Sequence, residues 1–234
     1  SYFRRGRRNY PHYQMSITKS YTAYAIGRAI QLGHLSMDDL HKPVVWFLKE
    51  IKPEQLAKGT EKITLNQAMQ MRSGIRLPKK KIGEIIQRPS ILLGQGQARA
   101  YLQFSQDLPD IPDSSLQPFK YQSSDTVLTM QVLEAVVPGT AEDFIQKELW
   151  GRLGVDNYHW QPDISGLPKS AAGSSVRSRD MLKMAQLVLN HGKWNGEQLI
   201  PDEFVQRATS PICKAGRQSS YGYFWWTQDY EIAG

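Results

Sequence analysis

The sequence predicts a helix-rich globular fold of mixed helix and strand, and three observations carry that prediction. Of its 234 residues, 40% are hydrophobic and 22% charged, with six Trp, eleven Tyr and seven Phe. That supplies a sizeable core and far more buriable area than a disordered chain carries. Apolar residues recur at helical spacing in several separate segments. One segment, Tyr221–Thr227, is dense in aromatics and reads as a strand instead.

Each element follows from its local pattern. Ile17, Tyr21, Tyr24, Ala25, Ala29 and Leu32 recur at helical spacing, and Gly33 stands where a helix C-terminus would place it. Thr64-Leu65-Asn66-Gln67 has the capping-box pattern, opening a short helix through Ala68, Met69 and Met71 that closes at Ser73-Gly74. From Lys79 to Pro118 the periodicity fades into a long excursion, with one helix expected around Ala98–Gln106. Val127, Leu128, Val132, Leu133 and Val136 predict a helix that Pro138-Gly139 stops. Thr140 caps the next, which carries Phe144, Ile145 and Leu149. Ser178 caps another, with Met181, Leu182, Ala185, Val188 and Leu189 on one face and Gly192 just past its end. Pro201-Asp202-Glu203 starts one more, its Pro near the first helical position, where the missing N–H costs nothing.

Several function classes are set aside by the same reading. No apolar run approaches the roughly 18 residues of a membrane span; the densest is Val44–Leu48. Cys213, the only cysteine, excludes an intrachain disulfide and a multi-cysteine zinc site. The histidines His12, His34, His41, His159 and His191 do not form an HExxH pair, no phosphate-binding Gly-Lys-Ser/Thr loop occurs, and no Gly-x-Ser-x-Gly elbow is present. No metal and no cofactor is therefore expected. Net charge is +7, with basic clusters at Arg4, Arg5, Arg7 and Arg8 and at Lys79-Lys80-Lys81. Without a zinc-finger or RNA-binding pattern beside them, they read as solvated loops, and no nucleic-acid partner is expected.

The segment with chemistry in it is Met15-Ser16-Ile17-Thr18-Lys19-Ser20, at the head of the first helix. Ser16 and Lys19 are one turn apart on one face, so Oγ and Nζ can meet. A serine hydroxyl is a weak nucleophile until a neighbouring base takes its proton, and a neutral lysine can be that base. A cation in a helix's first turn opposes the helix dipole, and such a local violation is where function is sought. Favouring the neutral amine takes desolvation or polar neighbours beyond what the helix end supplies, so a buried, crowded site is expected. On spacing alone the pattern is weak, since it arises often by chance and also fits an ordinary helix-opening serine with a solvated lysine.

Context adds weight. Ser16–Ser20, followed by the Gly27- and Gly33-containing helix and Leu35–Asp39, resembles the active-site helix of the penicillin-recognising serine hydrolases. It is most similar to their class C β-lactamase, D-alanyl-D-alanine peptidase, esterase and 6-aminohexanoate-dimer hydrolase branch. Further segments resemble the family in order: Ile63–Ile75, Tyr121-Gln122-Ser123 with Asp125-Thr126, Leu149–Gly154, Ala172–Asp180 and Leu189–Gly196. The resemblance implies an α/β (α+β) β-lactamase/transpeptidase-like fold. An antiparallel sheet would be flanked by helices, with a mostly helical region over about residues 40–170, holding Tyr121, inserted in a single domain 1–234.

The resemblance further implies an acyl-enzyme mechanism on a small-molecule acyl substrate. Ser16 would be the nucleophile, and Lys19 and Tyr121, its phenol bonded to Lys19, would move protons. The Ser16 backbone N–H would face the oxyanion, and Ser123 would bind substrate or orient Lys19 while Gln122 points away. Serine at 123, where the family often has asparagine, favours an ester or amide over a β-lactam. The family's third motif, Lys/His-Thr/Ser-Gly, does not occur; Lys58-Gly59-Thr60 has the wrong order and place. The family's terminal strands are also missing, and without them the Ser16 and Ser178 helices would expose apolar faces, so either a chain longer at both ends or a partner covering those faces is expected. Residues 1–9 carry only the basic part of a secretory signal, which leaves export open, while the resemblance slightly favours a periplasmic or secreted protein. The rival reading is a catalytically inactive binding or scaffold protein that kept the fold.

Overall fold

The computed structural model describes residues 9–109 and 117–229. The cluster Arg4–Arg8 lies outside them. Strand β1 (His12–Tyr13) turns sharply into α1 (Ile17–Gln31). The turn is strained at Met15, whose φ of 46° lies in the left-handed region that a side chain disfavours. Tyr21, Ala23, Tyr24, Ala25, Ile26 and Ala29 are buried, so α1 runs through the core with several sides covered. Gly33, at φ 77°, ends it as its place in the sequence predicts.

The helical region follows: α2 (Val44–Phe47), α3 (Leu65–Met69), α4 (Lys79–Ile86), α5 (Gly96–Phe104), α6 (Ser123–Val136) and α7 (Ala141–Phe144), the last running into a wide turn over Ile145–Trp150. The capping box at α3 forms fully, with Gln67 N donating to Thr64 Oγ1 at 3.2 Å and Thr64 N to Gln67 Oε1 at 2.9 Å. Thr140 caps α7 through the Asp143 N–H. The excursion after Lys79 is more ordered than its sequence suggests. Lys79-Lys80-Lys81 form the first turn of α4 rather than a loop, because Pro78 starts the helix and Ile85 gives it one buried anchor.

The chain closes with β2 (Tyr158–Trp160), β3 (Ser174–Val176), α8 (Ser178–Leu189), β4 (Lys193–Trp194), β5 (Glu197–Gln198), α9 (Asp202–Ala208), β6 (Cys213–Lys214), β7 (Ser219–Tyr221) and β8 (Trp226–Gln228). Among the described residues two antiparallel three-stranded sheets result, in the orders β1-β3-β2 and β6-β7-β8, besides the β4–β5 hairpin. Their registers set His12 opposite Val176, Trp160 opposite Ser174 and Tyr221 opposite Trp226. The single strand expected over Tyr221–Thr227 is therefore two strands and a tight turn. Gly222 causes the break: an added Cβ would lie 2.0 Å from the Ala208 carbonyl oxygen, so the chain presses there against the end of α9. Tyr223 N and Phe224 N then bond the carbonyls of Ala208 and Met69 instead of a strand.

Around α1 the core is aromatic. Trp150, fully buried, meets Tyr21 edge-on at 5.0 Å and Tyr158 at 5.6 Å. The buried face of α8 differs from the expected one. Asp180, Met184 and Leu187 point inward, whereas Leu182 is 62% and Leu189 73% exposed. Burial of Asp180 is made tolerable by Arg177 Nε at 2.6 Å and Lys183 Nζ at 3.0 Å. Ser178 is the first helical residue and makes no side-chain cap; Arg177 holds the cap position.

Candidate active site

Lys19 is 5% exposed, one turn into α1. Its Nζ donates to Ser16 Oγ at 3.0 Å and to the Ala171 carbonyl at 2.6 Å. The centroid of the Tyr121 ring is 4.8 Å from Nζ. A carbonyl dipole and a π face thus oppose the unfavourable end of the helix dipole. Ser16 has helical backbone angles and its side chain makes no capping bond, so Oγ is left to Lys19. The expected buried start of the helix divides in two. Lys19 is enclosed, but Ser16 is exposed, with Met15 and Ile17 at 64% and 45%, because the strained turn lifts the helix head to the surface.

Buried hydroxyls hold the loop that carries Ala171. Thr18 Oγ1 and Ser174 Oγ are 2.7 Å apart, Thr22 Oγ1 donates to the Ser170 carbonyl at 3.2 Å, and Ser170 Oγ reaches Thr126 Oγ1 at 3.1 Å. α1, α6 and the 170–174 loop are thereby tied around Lys19. Each bond of this kind contributes about 1 kcal/mol net, and more is lost when one partner is left unpaired. Sequence reasoning missed this network; its only trace is the i, i+4 spacing of Thr18 with Thr22 and of Ser170 with Ser174.

Tyr121 is brought beside Lys19 across the helical region, but the expected phenol–lysine hydrogen bond is absent among the described residues. The ring face is presented instead, because Tyr121 packs edge-on against Tyr221 at 6.2 Å and beside Trp226 at 5.6 Å. Ser16 and Tyr121 share a cavity of about 460 Å³, walled by Tyr24, Met184, Tyr221 and Trp225. Burial pushes the phenols of Tyr24 and Tyr221 well above the usual tyrosine range, so both stay protonated.

Ser123 opens α6 and makes no bond to Lys19. It lines a second cavity of about 390 Å³, together with Ile75, Leu77, Tyr101 and Gln122. Gln122 is extended (φ −155°, ψ 157°), so its neighbours' side chains leave on the opposite side from its own. Its Nε2 turns inward to Asp125 Oδ2 at 2.5 Å and Ser73 Oγ at 3.3 Å. Among the described residues, no group of three or more His, Cys, Asp or Glu could hold a metal ion, and no helix is long and apolar enough to cross a membrane.

Helices packed around small antiparallel sheets, with a serine–lysine pair heading the central buried helix, define the β-lactamase/transpeptidase-like class of fold. The chain belongs to the Beta-lactamase family, whose model matches residues 7–234, and so to the penicillin-recognising serine hydrolases that its motifs resemble. No curated protein sequence matches it. Among solved structures it is similar to a protein assigned as a 6-aminohexanoate-dimer hydrolase from Bacillus anthracis, with TM-score 0.74 and 21% identity, over 97% of this chain and 61% of that one. An octameric penicillin-binding protein homologue from Pyrococcus abyssi follows, with TM-score 0.68 and 19% identity, over 94% and 54%. A D-stereospecific amidohydrolase from Streptomyces sp. has TM-score 0.66 and 19% identity, over 94% and 72%. The chain thus spans 61% and 54% of the length of the first two.

Proposed function

We propose that this chain carries the nucleophile and proton-transfer groups of a serine hydrolase that works through an acyl-enzyme on small esters or amides. The observation that carries the reading is the 3.0 Å contact between a buried lysine amine and an exposed serine hydroxyl. Lys19, as the neutral amine, takes the hydroxyl proton while Ser16 Oγ forms its bond to the substrate carbonyl carbon. The Ser16 N–H has no hydrogen-bond partner among the described residues, which suits it to donate to the resulting oxyanion. When the intermediate collapses, the bond to the leaving alcohol or amine breaks, and that group takes the proton back from Lys19, with Tyr121 placed to relay it. Water then enters by the same route and releases the acid. Ester or amide substrates are favoured over β-lactams from the sequence, by serine at 123 where the family often has asparagine, although Ser123 lines the neighbouring cavity and not the one that Ser16 and Tyr121 share.

Intact-mass measurement after incubation with p-nitrophenyl acetate or a penicillin tests the reading. One acyl group should be gained by the native protein and none by a Ser16→Ala variant. Turnover of the ester, as kcat/KM, should exceed that of a cephalosporin. An unmodified native protein would leave the inactive scaffold as the better description, and a faster cephalosporin would reverse the substrate order.

A further inference from the structure

Asp125 is a buried carboxylate that the proposed chemistry does not use. It is the third residue of α6 and 0% exposed. Its Oδ1 accepts the Ser73 N–H at 3.1 Å, and its Oδ2 accepts Gln122 Nε2 at 2.5 Å and Ser124 Oγ at 3.1 Å. Ser73 Oγ receives Gln122 Nε2 at 3.3 Å and the Ile75 N–H at 3.2 Å, which closes a ring between two segments far apart in sequence. Every donor to this carboxylate is neutral, and no cation pairs with it among the described residues. Desolvating a carboxylate without a counter-ion is costly, so a residue with no task beyond packing would be better as an apolar one.

What the carboxylate fixes is the residue next to Tyr121. Gln122 is extended, so drawing its side chain inward commits Tyr121 to the other side, where the ring meets Lys19 Nζ at 4.8 Å. Remove the anchor and Gln122 can turn toward the adjoining cavity that it already lines. We propose that Asp125 is a positioning residue: through Gln122 and Ser73 it holds the Tyr121–Ser123 segment in the geometry that sets Tyr121 over Lys19. This rests on the reading of Ser16, Lys19 and Tyr121 as the reacting group.

The state of the carboxylate then matters. Burial raises its pKa to about 6, only partly opposed by the Gln122, Ser73 and Ser124 hydrogen bonds. Of the titratable groups packed nearby, the Tyr221 phenol feels the Asp125 charge, and Tyr121 and Cys213 in turn act on Tyr221. Protonation turns one carboxylate oxygen from acceptor to donor, and it would then face Gln122 Nε2 or the Ser73 N–H, both donors.

The test is the pH profile of ester hydrolysis by the native protein, Asp125→Asn and Gln122→Met, with Ser16 acylation followed by intact mass. Asp125→Asn should lower kcat at least tenfold at pH 7.5 with KM changed less than threefold, and should remove an acid limb near pH 6. Gln122→Met keeps the carboxylate but loses the link, and should show the same kcat loss. It decides the matter if Asp125→Asn does not fold. Native-like kcat and an unchanged acid limb in a folded variant would overturn the positioning role. Absence of acylation in the native protein would instead overturn the hydrolase reading beneath it.

Discussion

The placement of the Ser16–Lys19 pair depends on how α1 is clamped, and one glycine measures that clamp. Gly27 lies where α9 and its lead-in cross α1: an added Cβ would stand 2.6 Å from Ile200 Cγ2 and 2.7 and 2.9 Å from two ring carbons of Phe204. Ile200 and Phe204 are both 0% exposed, so neither can swing into solvent to make room. Two effects oppose each other in Gly27→Ala. Alanine improves helix propensity by about 1 kcal/mol. Forcing a methyl into a packed core costs about 1–3 kcal/mol, and three contacts under 3.0 Å put this site at the upper end. A net loss of about 1–2 kcal/mol follows, which lowers Tm by roughly 2–8 °C in a chain of this size. Gly83 in α4 is the control, because nothing lies within 4 Å of its added Cβ. There only the propensity term acts, and Gly83→Ala should raise Tm by about 2–4 °C. Thermal unfolding followed by circular dichroism compares the two variants with the native chain. A Gly27→Ala protein that melts at or above the native temperature would refute the packing argument, whatever Gly83→Ala does.

Two further outcomes are expected. Asp125 has a folded-state pKa of about 6 against an ordinary 3.8, a raised value, so its contribution to stability is full below about pH 3.8 and is lost as pH rises through 6. The stability of the native chain relative to Asp125→Asn should therefore fall by about 2 kcal/mol between pH 4 and pH 7 in urea titrations, and a flat or opposite difference contradicts the burial account. Gly222→Ala would set a Cβ 2.0 Å from the Ala208 carbonyl oxygen and 2.8 Å from that of Ser210, backbone atoms that cannot rotate away. It should cost about 3 kcal/mol or more; a Tm within 2 °C of native would show that the β7–β8 turn can be rebuilt.

Legibility in the sequence followed the range of the interactions. The α3 capping box and the Gly33 stop are local, each settled within four residues, and both stand in the structure as read. Errors arose where a distant contact decided the outcome. α8 is the local exception: Arg177 and Lys183, each three residues from Asp180, neutralise it and let it turn inward, which an apolar template does not register. The aromatic run at 221–227 breaks because Gly222 meets the end of α9, a contact that periodicity does not encode. β1 and β6 have two residues each, too few for alternation to register. Within the site, the Ser16–Lys19 spacing was readable because a helix turn guarantees it. The Ala171 partner was not, being a backbone carbonyl that any residue type could supply.

Two buried basic side chains in the same helix have opposite surroundings. Arg28 is 3% exposed and is treated as an enclosed charge ordinarily must be: Glu148 Oε2 stands 3.0 Å from its Nη2, and the Leu199 carbonyl takes Nη1 at 3.3 Å. Lys19 is almost as enclosed at 5%, yet among the described residues it has no carboxylate partner. A hydroxyl, a carbonyl and an aromatic face surround it instead, and all three are neutral. A lysine needed only to hold α1 in place would be served better by the Arg28 solution, since a counter-ion repays desolvation more fully than a carbonyl does. Among the described residues, the side chain that the Lys19 amine hydrogen-bonds is the exposed hydroxyl of Ser16. Stability alone does not explain that arrangement; the proposed proton transfer between Ser16 and Lys19 would.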